Sequence, residues 1–433
     1  MALKVCVYED DTFLDFYPIS LLRPVACMRA GILPLFARSA VHFEDVSLCL
    51  AVRHGSSESV AHEHRDCPVN IVKREPNQAV LFLNGRIRDY GDLPALVTHA
   101  RISTRFVHGG AVVAVLFESN AWPEIPALAT PDMYEKLVRE QPDEFPVHET
   151  TATLYKGCWE LVGDVESAIT ADFKHVRKSF PDPDRVKVHQ GAQIINPDQV
   201  YLGSGVEMLP VSLIDASHGP VYVGDNTKIE SQVTINGPCY IGPNSLVVAG
   251  KITGSSIGHT CRVGGEVEES IFQSYVNKYH AGFVGHAYVG SWVNFGAMTT
   301  NSDLKNNYSE IVMRLRGHVV HTGSIKVGSF IGDHTKFGIG TLLNTGINIG
   351  VCCNIFGGTL ITDKEVPCFR WGNSQMYKDY HFDKALETMQ RAADRRGVTL
   401  SNQEIALPEA ISQGRFPDEG VLRFSPDTAH KPE

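Results

Sequence analysis

The sequence predicts two folds in one chain: an α/β domain with a mostly parallel sheet, then an all-β solenoid of short parallel strands followed by a C-terminal helix. Three observations carry this. From about residue 200, Val223, Ile229, Ile235, Ile241 and Val247 stand six apart. After an offset Ile257 and Val263 continue the beat, then Val289 and Phe295, and finally Ile325, Ile331, Phe337, Leu343, Ile349 and Ile355. Upstream, VCVYED, VSLCLAV, AVLFLNG and AVVAVLF are short, β-rich apolar runs separated by loops and candidate helices. Downstream, Phe382, Leu386, Met389 and Ala393 lie at helical spacing.

A period of six is neither the 3.6 of a helix nor the 2 of a strand. It arises when short strands joined by turns wind into a stack, three such strands making one triangular coil. Gly, Asp or Asn often follows the aliphatic residue, as in IGPNSL, IGHTCR, VGSWVN, IGDHTK and IGVCCN. Each aliphatic side chain points into the stack, and one coil cannot bury it without neighbours. A Gly-rich β-sandwich would instead show alternation by two and irregular strand spacing.

Residues 1–150 form the α/β domain, because apolar strands alternating with helical stretches bury both faces of a sheet. Residues 151–199, with CWELVGDVESAITADFKHV, read as a helical connector, and 200–373 as the solenoid. Residues 374–433 hold an amphipathic helix and then a Pro-, Ser- and charge-rich tail, expected to be poorly ordered or to lie against a partner subunit.

The net charge is −10, from 39 Lys and Arg against 49 Asp and Glu. That balance gives no basic footprint for nucleic acid. No apolar run approaches the roughly 20 residues of a membrane span, and MALKVCVYEDD turns acidic before a signal-peptide core could form, so a cytoplasmic protein is expected. Ten cysteines without a C-x-x-C pair read as small buried residues of a reducing compartment.

One stretch, YVNKYHAGFVGHAYVGSWVNFG (275–296), sets two histidines, a lysine and two asparagines into the repeat. With NKYHAGFVGHAYVGSWVNFGAMTTNSDLKNNY and TGSIKVGSFIGDHTKFGIGTLLNTGINIGVCCNIFGG, the chain resembles the bacterial GlmU-like family, sugar nucleotidyltransferases fused to a hexapeptide-repeat acyltransferase. The resemblance implies a nucleotidyltransferase-like (Rossmann-like) first domain, a left-handed sense for the β-helix, and a homotrimer with sites between adjacent subunits. Relatives carry a H-x-x-[YF]-[LV]-G segment and then Asn-x-Gly-Ala, matched by His280-Ala-Gly-Phe283-Val284-Gly285 and Asn294-Phe295-Gly296-Ala297.

By that resemblance His280 is the general base of acyl transfer, most simply of acetyl from acetyl-CoA to an amino sugar or its phosphate. An imidazole with an ordinary pKa near 6.5 can accept the proton of an attacking amine. Asn294 and Asn301 would bind substrate, Lys278 and Lys305 would lie near its phosphate, and Phe283 would stand where relatives carry Tyr. The insertion SDLKNNYSEIVMRLRGHVVHTG (302–323) is expected to protrude and reach a site or a neighbour.

At the N-terminus the resemblance rests on YEDDTFLDFYPISLLRPVACMRAGI and VLFLNGRIR. It implies a nucleoside triphosphate site containing Ser20, Arg23, Arg29, Asn84 and Gly85, making a UDP- or dTDP-sugar. The usual Gly-rich loop is absent, and Arg86 stands where the family's Mg2+-binding Asp would be, leaving Asp10, Asp11 or Asp89 to compensate. Two other readings stay open. One is a zinc hydratase of the carbonic-anhydrase type on the same solenoid, in which three histidines from neighbouring subunits hold the metal, with His259, His280, His286 and His334 as candidates. The other is a non-catalytic trimeric scaffold that binds sugar nucleotides.

Overall fold

In the computed structural model, residues 3–43, 46–71, 78–118, 145–179 and 181–415 are described. The chain forms two compact units. One comprises Met1–Thr12, His42–Leu154 and Ser401–Glu433, and the other Phe13–Val41 and Tyr155–Leu400. The segment Phe13–Val41, read from sequence as part of the first domain, thus belongs with the solenoid. It carries most of helix α1 (Leu35–His42).

The first unit is built on strands β1 (Leu3–Tyr8), β2 (Val46–Ala51), β3 (Ala79–Asn84), β4 (Ile87–Asp89), β5 (Thr104–His108), β6 (Ala111–Phe117), β7 (Val147–Glu149) and β8 (Thr153–Leu154). Six of them form one sheet in the order β2-β1-β3-β6-β5-β7. β1 pairs parallel with both β2 and β3, whereas β3–β6 and β6–β5 are antiparallel. β5 pairs parallel with β7, so the sheet is mostly parallel, as the sequence predicts, with β6 alone reversed. The reason is the two-residue turn Gly109–Gly110, with φ of 55° and 85°, which reverses β5 into β6 as only glycine-type turns do readily. Cys6, Cys49, Val80, Phe82, Val115 and Phe117 pack on one face of this sheet. Helices α2 (Ser57–Glu63), α3 (Leu93–His99) and α7 (Asn402–Ser412) belong to this unit. α7 occupies the start of the stretch expected to be poorly ordered. Its N-terminus is closed by a capping box between Ser401 and Glu404. Residues 416–433 lie outside the described residues.

In the second unit, α4 (Cys158–Gly163) and α5 (Val165–Val176) supply the expected connector helices, and the first solenoid strand follows at Lys187–Val188. The rest is a left-handed parallel β-helix of about 10 turns. Its walls are columns of in-register residues. Val223 pairs with Ile241, then Ile257, Phe272, Val289, Ile331, Ile349 and Val366. A second column runs Ile229, Val247, Val263, and a third Ile214, Ile235, Ile252, Val267, Val284. These side chains are buried. At about 1.5–3 kcal/mol per fully buried aliphatic side chain, stacking coil on coil is what holds the unit together.

Ile325 departs from the expected beat: it is 50% exposed. It lies in the excursion that begins at residue 302, and the coil resumes at Ser329–Ile331. That excursion does not stand free. Val312–Leu315 and His318–His321 form an antiparallel hairpin with Ile311 and Met313 buried. Its turn donates the Arg316 and Gly317 amides to the Glu365 carboxylate at 2.7 and 2.8 Å. Helix α6 (Phe382–Asp394) buries Met389 and Ala393 of the predicted face together with Ala385, while Phe382 and Leu386 are half-buried. Among the described residues no helix is long and apolar enough to cross a membrane.

Candidate functional site

Two polar residues interrupt the apolar columns. Lys278 pairs in register with Val263, and so takes an inward position where the repeat calls for an aliphatic side chain. It is 1% exposed. Its ammonium donates to the carbonyls of Gly264 and His280 at 2.9 and 2.6 Å. Burial pushes this amine down to about 8. Asn301 sits in the column of Leu343 and Ile361. Its side-chain amide accepts from the Gly285 N–H at 2.8 Å and donates to the Gly285 carbonyl at 2.9 Å. Both side chains are thus engaged with backbone.

What they fix is the segment between them. The turn after Lys278 presents Tyr279, His280 and Ala281 to solvent. His280 makes no side-chain hydrogen bond or ion pair among the described residues, and its ring meets Tyr279 edge-on. The turn closes at Gly282, whose φ of 132° no L side chain adopts readily and where a Cβ would stand 2.2 Å from the Thr299 carbonyl oxygen. Met298 N–H donates to the Ala281 carbonyl at 2.8 Å. Phe283 follows, half-buried, with its N–H donating to the Thr300 hydroxyl.

His286, four residues after Gly282, is buried between two carboxylates. Its Nδ1 lies 2.8 Å from Asp303 and its Nε2 3.1 Å from Glu269. Burial alone would lower the imidazole. The hydrogen bonds and charges of Asp303 and Glu269 outweigh it and push His286 up to about 9. His286 is therefore an imidazolium at neutral pH, a structural cation rather than a base.

Asn294 faces a different feature, a cavity of about 310 Å³ against the C-terminal end of α6 and the residues that follow it. Asn277, Asn294, Tyr275, Trp292 and Lys336 line its solenoid wall, and Arg391, Arg395 and Arg396 the helix side. Asn277 donates to Asn294 at 2.8 Å. Lys305 lies elsewhere, in the excursion, where its exposed ammonium meets the Glu310 carbonyl and the Ser309 hydroxyl.

The five residues expected to hold a nucleotide fall in different units. Ser20, Arg23 and Arg29 belong to the solenoid unit. Ser20 is buried there. Arg23 is ion-paired to Asp333 and donates to Ser291. Arg29 lies over the Tyr240 ring at 5.0 Å, and its carbonyl accepts from the Tyr288 hydroxyl at 2.9 Å. Asn84 and Gly85 belong to the first unit, at the carboxyl end of β3. β2 and β3 flank β1 on opposite sides, so the β1/β3 edge is a switch point of the kind at which open α/β sheets bind ligands. There Asp10 receives Asn84 Nδ2 at 2.8 Å and Arg86 Nε and Nη2 at 3.1 and 2.9 Å. Burial would raise the Asp10 carboxyl, but Arg86, Thr12 and Asn84 together hold it below its usual value.

This arrangement does not fit Mg2+. The carboxylate best placed for the ion already carries a guanidinium, and among the described residues no three His, Cys, Asp or Glu side chains gather to hold a metal. His334 is buried, and burial with the charges of Lys336 and Arg23 pushes it well below its ordinary value.

Sequence reading does not find Glu269 and Asp303 as the partners of His286, nor the arginines at the end of α6 as neighbours of Asn294. Both depend on which side chains meet across neighbouring coils and on how the helix after the last coil folds back, neither of which the beat of six shows.

Residues 5–179 match the family described as "Sugar nucleotidyl transferase". The matched segment is divided between the two units. A "Bifunctional sugar-1-phosphate nucleotidylyltransferase/acetyltransferase" of Sulfurisphaera tokodaii is 29% identical over 122 residues, 28% of each chain. A "Bifunctional protein GlmU" of Acaryochloris marina is 27% identical over 228 residues, 49% of this chain and 43% of that one. A solved structure of LpxA from Acinetobacter baumannii aligns with 53% of this chain and 83% of its own, at 20% identity and a TM-score of 0.25. The chain thus spans less than half the length of these two curated relatives. Residues 5–179 fit the sugar nucleotidyl transferase family, and the chain is similar to bifunctional nucleotidylyltransferase/acetyltransferases.

Proposed function

We propose that the solenoid unit transfers an acyl group, acetyl from acetyl-CoA in the simplest case, to the amine of an amino sugar or its phosphate, with His280 as general base. The observation that carries this is the His280 turn. Its backbone is pinned by Lys278 and closed at Gly282, while its imidazole is exposed and has no hydrogen-bond partner among the described residues. A group meant only to fill a corner needs no such support, whereas a base must be held in place without losing access to its substrate.

In the reaction the amine attacks the thioester carbonyl and forms a C–N bond. Its proton passes to His280, and the C–S bond breaks as the tetrahedral intermediate collapses to release the thiol. Lys278 and Asn301 are positioning residues in this scheme, and Phe283 is the substrate contact beside the base. Lys305 is a cation for a phosphate at the excursion. The assembly is a homotrimer with sites between solenoids. Exposed Met298, Ile339, Leu342 and Leu360 supply apolar surface for such an interface.

The first unit binds a nucleotide or sugar phosphate at the β1/β3 edge through Asn84, Gly85 and Arg86. Arg86 supplies the positive charge there, which favours metal-independent binding over Mg2+-dependent nucleotidyl transfer. To test acyl transfer, the chain is incubated with acetyl-CoA and a panel of amino sugars and their phosphates, and N-acetylated product is read by mass spectrometry. Product with any acceptor supports acyl transfer. Its absence across the panel, from protein that is folded and trimeric, overturns it.

A further inference from the structure

We propose that the cavity between the solenoid wall and the end of α6 is a binding site for a phosphate monoester, held by Arg395 and Arg396 on the helix side and by Lys336 and Asn294 on the wall. The charge arrangement points to an anionic ligand. Arg391 has a carboxylate partner, Glu387, one turn earlier on the helix. Arg395, Arg396 and the neighbouring Arg262 have none among the described residues, in a chain whose net charge is −10. Burial and the charges of Arg262 and Arg395 lower Arg396. Lys336 is lowered to about 8 by burial, and its ammonium donates to the Trp292 carbonyl at the cavity wall. Cations left to repel one another around a cavity are relieved when a phosphate enters.

The wall beside the cavity is also aromatic. One corner of the solenoid adopts a left-handed backbone in successive coils. Asn226, Asn244 and Thr260 occupy it in the early coils, with φ of 54°, 58° and 58°. Asn tolerates that conformation well, and bulky side chains do not. Beside the cavity the same corner carries Tyr275, Trp292 and His334, each with φ of 63°. Tyr275 and Trp292 stack at 4.0 Å with an interplanar angle of 2°. The same corner is left-handed at Cys352 and Phe369 too, so the conformation belongs to the fold, and what the cavity takes from it is the stacked ring pair. The rings back the cavity with a rigid surface, and about 310 Å³ lies at the small end of small-molecule sites, the size of a phosphorylated sugar or one end of a nucleotide.

Binding here does not require acyl transfer. Calorimetric titrations of the full chain use inorganic phosphate, glucosamine 1-phosphate, adenosine 3′,5′-bisphosphate and unphosphorylated glucosamine. The same titrations are made on the Arg395→Gln/Arg396→Gln double variant and on His280→Ala. With all proteins carrying Arg86→Ala to silence the β1/β3 edge, the expected result is salt-dependent binding of phosphorylated probes, weakened about tenfold or more in the double variant and unchanged in His280→Ala. Tighter binding of the sugar phosphate identifies a sugar-phosphate ligand, and tighter binding of the bisphosphate a nucleoside phosphate. Because the arginines repel one another, the double variant should unfold at no lower temperature than the parent, which separates lost binding from lost folding. No phosphorylated probe binding at millimolar concentration, or equal affinity in parent and double variant, overturns the proposal.

Discussion

Asp303→Asn probes the electrostatics beside the His280 turn. His286 is raised from 6.5 to about 9 in the folded chain. A pKa that is higher folded than unfolded contributes stability that is full below about pH 6.5 and is lost as pH rises through about 9. At 1.36 kcal/mol per unit this amounts to about 3 kcal/mol. Lys278 and Lys336 act in the opposite sense. Both are lowered to about 8 from 10.5, so the folded chain releases their protons first and gains stability between about pH 8 and 10.5. Comparing parent with Asp303→Asn cancels the lysines and isolates His286. The variant keeps an acceptor for Nδ1 but removes one of two charges. It should lose about 1–2 kcal/mol at pH 6.5 and little at pH 10. Thermal unfolding followed by circular dichroism from pH 6 to 10 reads the difference. Parallel curves for parent and variant across that range would refute an imidazolium at position 286.

Asn301→Ala leaves the buried N–H and carbonyl of Gly285 without partners and should cost about 3 kcal/mol, read as a lower denaturation midpoint. Ile235→Ala should cost about 2–5 kcal/mol because the side chain is fully buried in the stack, whereas exposed Ile325→Ala should stay within about 0.5 kcal/mol. Gly282→Ala should distort the His280 turn and lower the acylation rate about tenfold or more, while phosphate binding in the first unit is unchanged. Arg86→Ala should weaken nucleotide binding about tenfold, and a chelator should leave the parent's binding unaltered.

The solenoid is legible in the sequence because its physics is local. Burying one aliphatic residue per strand forces the beat of six, and Val223, Ile241, Ile257 and Ile349 lie where that beat puts them. Ile325 falls outside because an insertion can keep the spacing by coincidence while leaving the stack. The mostly parallel sheet is legible too, whereas the place of the one reversed strand, β6, is not, since the hairpin at Gly109–Gly110 does not reveal which strand it will join. For the site, the His280 turn is readable from HAGF. The engagement of Lys278 and Asn301 with backbone is not, because spacing alone does not show that a polar residue has taken an inward position. The docking of Phe13–Val41 on the solenoid, with Arg23 on Asp333, joins residues far apart in the chain and leaves no local trace.

The measurement that bears most directly on acyl transfer is the rate of free thiol release from acetyl-CoA with glucosamine 1-phosphate, for the parent chain and for His280→Ala. Loss of the general base should lower the rate about a hundredfold or more, with acceptor binding retained. Equal rates in the two proteins would contradict the role assigned to His280.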